Sequence, residues 1–163
     1  MAYQIDQSGK IEHTSKNTYV SLANSKTLVI KISSKEKRKL IKTIKELHPP
    51  HRTYIFQIFA VLIFILLKEG KPQEVLIDTE YSGHQASIKE VLIQLSERFQ
   101  IKLPEISFGL VGKKSNSHLA AIAAYREERA VDITVKAENI LKLLYGNLSN
   151  KKGWRPRSGR GNP

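Results

Sequence analysis

Two carboxylates stand two residues apart at the end of an apolar run, in Val75-Leu76-Ile77-Asp78-Thr79-Glu80-Tyr81-Ser82-Gly83-His84. A β-branched run that closes on an acid and then meets a Ser-Gly turn reads as a buried strand delivering acids to its open end. Side chains at i and i+2 of a strand share a face, so Asp78 and Glu80 are expected to point the same way, which suits a divalent cation better than packing. Two companions are available. Asp6, in Ile5-Asp6-Gln7-Ser8-Gly9, closes the first strand candidate, and His118, in Lys113-Lys114-Ser115-Asn116-Ser117-His118, lies in the first turn of a helix. Carboxylate oxygens are ligands for hard Mg²⁺ or Mn²⁺, and an imidazole can ligate an ion or move a proton. Together these groups could hold a divalent cation. Each also has an ordinary reading: Asp6 and Asp78 as turn formers, Glu80 as a solvated acid, His118 as a capping or packing residue.

The charge of the chain points to the same kind of partner. Its 163 residues carry 27 Lys and Arg against 15 Asp and Glu, a net charge of +12, and such an excess attracts polyanions. Nucleic acid, whether RNA, DNA or a hybrid, is the expected partner. The basic residues cluster: Lys35, Lys37, Arg38, Lys39, Lys42 and Lys45 fall on one helix, Lys113 and Lys114 in a turn, and Lys151, Lys152, Arg155 and Arg157 in the tail. All are candidate phosphate contacts. The turn Gly112-Lys113-Lys114-Ser115 leads into a helix N-terminus, where backbone N–H groups and Lys113 could hold a phosphate. A full phosphate-binding loop and a His-Glu-x-x-His zinc helix are both missing. With no cysteine, disulfides and thiolate metal sites are excluded. The N-terminal residues lack a charged-then-apolar signal pattern, so a cytoplasmic protein is expected. The apolar stretch Tyr54–Leu67 is shorter than the roughly 20 residues that a bilayer requires. It reads as a core helix, and no membrane association is expected.

The elements that must position these residues follow in order. Tyr3–Asp6 is a strand ending at a Gly9 turn, with Lys10–His13 a possible return. Thr18–Ala23 and Thr27–Ser33 form a hairpin about Asn24-Ser25-Lys26. Ser33-Ser34-Lys35-Glu36 matches a capping box, with Ser33 accepting from the backbone and Glu36 reaching back. It opens a helix through Leu40, Ile41, Ile44 and Leu47 that Pro49-Pro50 ends. A helix of about 51–68, apolar nearly all round, stops at Gly70. The strand Glu74–Asp78, a helix Ser87–Phe99 and a strand Ile106–Val111 come next. A helix capped by Ser115 or Asn116 runs to about Glu128, and a last helix runs from Thr134 to Tyr145. Residues 1–146 are expected to form a single domain, and the basic, Gly-rich 147–163 a disordered tail. The fold class is α/β with a mixed sheet: an antiparallel meander, then α-β-α-β-α, with helices on both faces.

With acids at the ends of its first and fourth strands and a histidine on a later helix, this order resembles the ribonuclease H-like nuclease superfamily over roughly residues 3–130. The resemblance implies that Mg²⁺ or Mn²⁺ sits between the first and fourth strands and serves phosphodiester hydrolysis, one ion activating water and a second stabilising the leaving oxygen. It places Asp6 at the first-strand aspartate, Asp78 at the fourth-strand aspartate and His118 at the last ligand, which is histidine in some members. One feature departs from the pattern. The superfamily usually carries a glutamate on the helix before the fourth strand, and residues 51–60 hold none, while Glu46 and Glu69 lie at the wrong ends. Glu80 is the substitute within reach. The leading expectation is therefore a metal-dependent nuclease for structured or hybrid nucleic acid, with Asp6, Asp78 and His118 at the metals and Glu80 assisting. A catalytically inactive binding module on the same fold would instead hold Asp6 and Asp78 too far apart to share an ion. An interaction subunit would expose the apolar face of 54–67, and His84 is a weak candidate for substrate contact.

Overall fold

A computed structural model describes residues 2–47 and 53–146. The tail residues Lys151, Lys152, Arg155 and Arg157 lie outside the described residues, as do His48, His51 and the Pro49-Pro50 break. Six strands and five helices are described: β1 (Tyr3–Ser8), β2 (Thr18–Ala23), β3 (Thr27–Ile32), α1 (Ser34–Leu47), α2 (Tyr54–Gly70), β4 (Glu74–Asp78), α3 (Gln85–Phe99), β5 (Glu105–Gly109), α4 (Asn116–Tyr125), β6 (Ile133–Val135) and α5 (Ala137–Tyr145).

All six strands join one mixed sheet in the order β5-β4-β1-β2-β3-β6. The meander β1-β2-β3 is antiparallel, whereas β4 runs parallel to β1, β5 to β4 and β6 to β3. Period-two alternation sorts the side chains into two faces. On one face Ile5, Val20, Leu22, Ile30, Val75 and Ile77 meet α2, whose Ile58, Phe59, Leu62, Ile63 and Leu66 are almost fully buried. The helix is apolar nearly all round because the sheet lies beneath it while α3 and α5 pack against its flanks. No apolar face of 54–67 is left for a docking partner, contrary to the interaction-subunit expectation. None of the helices among the described residues is long and apolar enough to cross a membrane.

The opposite face of the meander is covered by α4. Its Ser117, Ala120, Ala121 and Ala124 are buried and small, so the helix lies close over β1, β2 and β3. There Tyr19 and Val29 pack with Ala120 and Ala124, and Ser21 donates from its hydroxyl to the Ser117 carbonyl.

Several expectations are corrected. β1 continues to Ser8, so Asp6 sits inside the strand, and residues 10–13 turn instead of pairing. The turn falls at Gly9, whose φ of +81° and 2.1 Å clearance between a notional Cβ and the Asn17 carbonyl exclude any side chain. Helix α2 ends with Lys71, not Gly70, in the left-handed conformation. Helix α4 stops at Tyr125, short of Glu128. Thr134 lies in a sixth strand that the helical reading overlooked, and α5 begins only at Ala137. Ser33 does accept from the Glu36 amide at 3.1 Å, but Glu36 does not reach back. Its Oε1 accepts from the Ala137 amide at 2.9 Å, joining α1 to the start of α5 and holding the Glu36 carboxyl below its usual range.

Candidate metal centre

The geometry of the acids follows from strand register. β1 and β4 pair in parallel with Ile5 opposite Ile77, so one residue further along each strand stand Asp6 and Asp78, on the face that α4 covers. Adjacent strands are about 4.8 Å apart, which sets two carboxylates side by side just past the last β1–β4 pair, Asp6 within β1 and Asp78 at the end of β4. The chain then leaves β4. The Thr79 amide donates to the Gly109 carbonyl at 2.9 Å and the Glu80 amide to the Asp78 carbonyl at 2.8 Å, which folds Glu80 back over the strand end. Glu80 therefore reaches Asp78 from a turn, not from the strand pleat that the i, i+2 spacing implied. Oxygens of Asp6, Asp78 and Glu80 all lie within 4.8 Å of one another.

Each carboxylate is held by neighbours. Asp6 is buried, accepts from the Gln7 amide at Oδ1 (2.8 Å) and contacts His118 Nδ1 through Oδ2 (2.7 Å). Asp78 Oδ1 accepts from the Val111 amide at 2.8 Å, which ties the segment after β5 to the cluster. His118 is placed by the start of α4: Ser115 caps the helix, accepting the His118 amide at 3.1 Å. That bond satisfies a free N–H of the first turn and fixes where the ring leaves the helix. His118 thus stands beside the three carboxylates, bonded to one of them, and is not one of the converging oxygen set.

Crowding shows in the protonation of the acids. Burial is the main force raising Asp6 above the usual carboxylate range, opposed by its Gln7 and His118 hydrogen bonds and reinforced by the Asp78 charge. Glu80 is pushed up to about 6, first by burial and then by the charges of Asp78 and Asp6, with Lys10 opposing. Two ionised carboxylates at this spacing repel by about 3 kcal/mol at an effective dielectric constant near 20. Three acids facing one another without a cation are therefore a standing cost, and a divalent ion removes it. The donor set fits such an ion. Oxygens bound to one ion at about 2.0–2.6 Å lie no more than about 5.2 Å apart, and all three carboxylates fall within that limit. The wide separation of Asp6 and Asp78 expected of an inactive module is not found.

The candidate phosphate contacts among the described residues fall in two places, the turn before α4 and the outer side of α1. Lys113 and Lys114 are exposed in the turn before α4, closed by the Ser115 amide donating to the Gly112 carbonyl at 3.0 Å. On α1, Lys35, Arg38, Lys39 and Lys42 are exposed; Arg38 donates to the Thr14 carbonyl at 2.9 Å and Lys39 lies 3.5 Å from Glu36. Lys37 departs from this face. It is fully buried, its Nζ donating to the carbonyls of Lys10 (3.1 Å) and His13 (2.8 Å) and to Thr18 Oγ1 (3.0 Å), and burial brings its pKa down to about 8. It pins the β1–β2 loop to α1.

The sequence reading also passed over Tyr81. Its hydroxyl lies within 3.3 Å of the Gln7 and Glu12 side chains and its ring packs edge-on to Phe56 and Phe59. This anchors the turn carrying Glu80 to α2 and the β1–β2 loop. His84 stacks on Phe56 at 4.1 Å between ring centres, at the start of α3. Residues 51–60, which hold no glutamate, contribute Phe56 and Phe59 to this packing. Compared with protein-family models, curated proteins and solved structures, the chain matches none.

Proposed function

We propose that this chain is a ribonuclease H-like, Mg²⁺- or Mn²⁺-dependent nuclease that hydrolyses phosphodiester bonds in structured or hybrid nucleic acid. The observation that carries the proposal is the convergence of Asp6, Asp78 and Glu80 within 4.8 Å where the parallel pairing of β1 and β4 stops. The meander, the β1–β4 neighbourhood and a histidine on a helix crossing β1 all accord with it.

Asp6, Asp78 and Glu80 are the residues that would hold the metal, and when bound it supplies Lewis acidity, acidifying water and neutralising phosphoryl charge. Hydrolysis joins a water oxygen to phosphorus while one P–O ester bond breaks and the departing oxygen gains a proton. Asp6 borders both the other carboxylates and the imidazole, so either it or Asp78 would be the aspartate shared if two ions bind. Its bond to Nδ1 orients His118 and leaves Nε2 to ligate or to carry the proton. Lys113 and Lys114 hold flanking phosphates. Exposed Lys35, Arg38, Lys39 and Lys42 extend that contact along α1, and the tail residues Lys151, Lys152, Arg155 and Arg157 add to it.

The test is cleavage of end-labelled RNA, DNA and hybrid substrates with Mg²⁺ or Mn²⁺. Asp6→Asn and Asp78→Asn are each expected to lower the rate at least ~100-fold; rates equal to wild type would sink the assignment. A non-catalytic binding module draws on one observation, the absence of any glutamate from residues 51–60. It predicts salt-sensitive binding with no turnover under any divalent ion.

A further inference from the structure

Asp6 and Asp78 belong to a row of residues that crosses the sheet. Ser21 pairs with Asp6, Gly109 pairs with Asp78, and the two aspartates each follow the Ile5–Ile77 pair, so the row reads Ser21, Asp6, Asp78, Gly109 from β2 to β5. Register partners share a face, which here is the face that carries α4. The two ends of the row differ. The Ser21 hydroxyl donates to the Ser117 carbonyl and Asp6 meets His118, so α4 closes that side. This helix packs on β1, β2 and β3. On β4 and β5 the same face holds half-buried Leu76 and Gly109 and exposed Ser107. Among the described residues, a Cβ built on Gly109 meets one atom within 4 Å outside its chain neighbours, Leu76 Cδ1 at 3.2 Å. The acids are thus walled on one side and open on the other, across a glycine.

The fold does not demand glycine at this place. The φ of Gly109 lies outside the left-handed region, and the one atom that a methyl group would press is the far end of a flexible leucine. Glycine weakens a strand, because it loses the most backbone freedom on folding and packs nothing. Where a strand carries one, it marks a bulge, a bend or the close passage of a ligand or another backbone. β4 and β5 pair in unbroken register from Glu74–Glu105 to Asp78–Gly109, which excludes a bulge, and the ordinary φ leaves no bend that requires it. We propose that Gly109 is the passage by which a polynucleotide strand reaches the carboxylate centre: its sugar-phosphate backbone crosses the β5 edge over Gly109 and sets a phosphodiester beside Asp78. The inference rests on the nuclease reading and names a residue that decides which phosphodiesters the centre admits. A phosphodiester within a strand brings a sugar on both sides and needs clearance that an isolated one does not. The crossing runs transverse to the strands, since exposed Glu74 and Glu105, paired at the other end of β4 and β5, repel phosphate along them.

The experiment sets Gly109→Val and Gly109→Ala against wild type in Mn²⁺ titration, in Mn²⁺-dependent hydrolysis of the small diester bis-p-nitrophenyl phosphate, and in binding (with Ca²⁺) and cleavage of end-labelled RNA, DNA and hybrid. Gly109→Val should bind Mn²⁺ within ~2-fold of wild type and hydrolyse the small diester within ~3-fold, while polynucleotide binding weakens at least ~10-fold and kcat/KM for cleavage falls at least ~30-fold, mainly through KM. Its Tm should equal or exceed that of wild type, because valine favours strands. Gly109→Ala, which adds a single methyl group and keeps the test if valine disturbs the strand, should fall between the two. Polynucleotide binding by both variants within ~3-fold of wild type, or losses of Mn²⁺ binding and small-diester hydrolysis as large as the loss on polynucleotide, would overturn the proposal. A wild type that binds polynucleotide and cleaves none counts against the nuclease reading alone, and the binding comparison then still decides on Gly109. A wild type that binds no polynucleotide overturns both.

Discussion

Glu80 is the residue on which the proposed site turns, because it supplies the third carboxylate of the cluster. It is not on a strand; it reaches the aspartates through a backbone fold at Asp78 and an anchor at Tyr81. Its carboxyl sits near 6 instead of the usual 4.5, from burial and two acidic neighbours. Between those values the folded chain keeps a proton that the unfolded chain has released. Stability of the metal-free protein therefore falls as pH rises from about 4.5 to about 6, and the full penalty applies above that. Glu80→Gln should raise the metal-free Tm at pH 7 by roughly 3 °C, about 1 kcal/mol after allowing for the partial exposure of the group, with little change at pH 4. The same variant should lose much of the stabilisation that wild type gains from Mn²⁺. Scanning calorimetry with and without the ion checks both, and an unchanged metal-free Tm at pH 7 would show that the three acids do not strain the fold.

At the scale of elements, the site depends on α4 lying close to the sheet. Ala121 is 1% exposed beneath that helix. Ala121→Leu should cost about 1–3 kcal/mol by overpacking and, by lifting the helix, separate His118 from Asp6. Urea denaturation reports the first effect, and loss of the low-field imidazole proton signal reports the second. Much of this architecture was legible in the sequence. The meander, the capped α1, the apolar α2 and the Ser115 cap each had a local cause in periodicity or capping chemistry. The elements that escaped had none. β6 is three residues long, too short to display alternation, and exists because Ile133–Val135 pair with β3 and Asp132 accepts the Val29 amide at 2.8 Å. Lys37 sat in a basic run and was read with its neighbours, yet it faces three oxygens donated by a loop more than 18 residues away in the chain. The carboxylate types were visible; the turn that folds Glu80 back onto Asp78 was not, because it depends on the Gly109 carbonyl of a neighbouring strand.

The whole molecule adds a field to the site. A net charge of +12 attracts polyanions; in the proposed function nucleic acid would meet both the exposed Lys113 and Lys114 and a cluster of acids that repels it. Binding should weaken linearly in log K against log salt, and Lys113→Ala combined with Lys114→Ala should reduce the slope by about 1.5–2 if both lysines contact phosphates. Fluorescence anisotropy at several salt concentrations measures it. An unaltered slope would move the contact surface elsewhere, toward α1.

The claim beneath all of these is that Asp6, Asp78 and Glu80 form one divalent metal centre. A crystal soaked in Mn²⁺ and measured for anomalous scattering tests it most directly. The expected result is a peak bonded at about 2.0–2.6 Å to an oxygen of each of the three carboxylates and lost in Asp78→Asn. Absence of any peak there at millimolar Mn²⁺, or a peak touching none of the three, would contradict it.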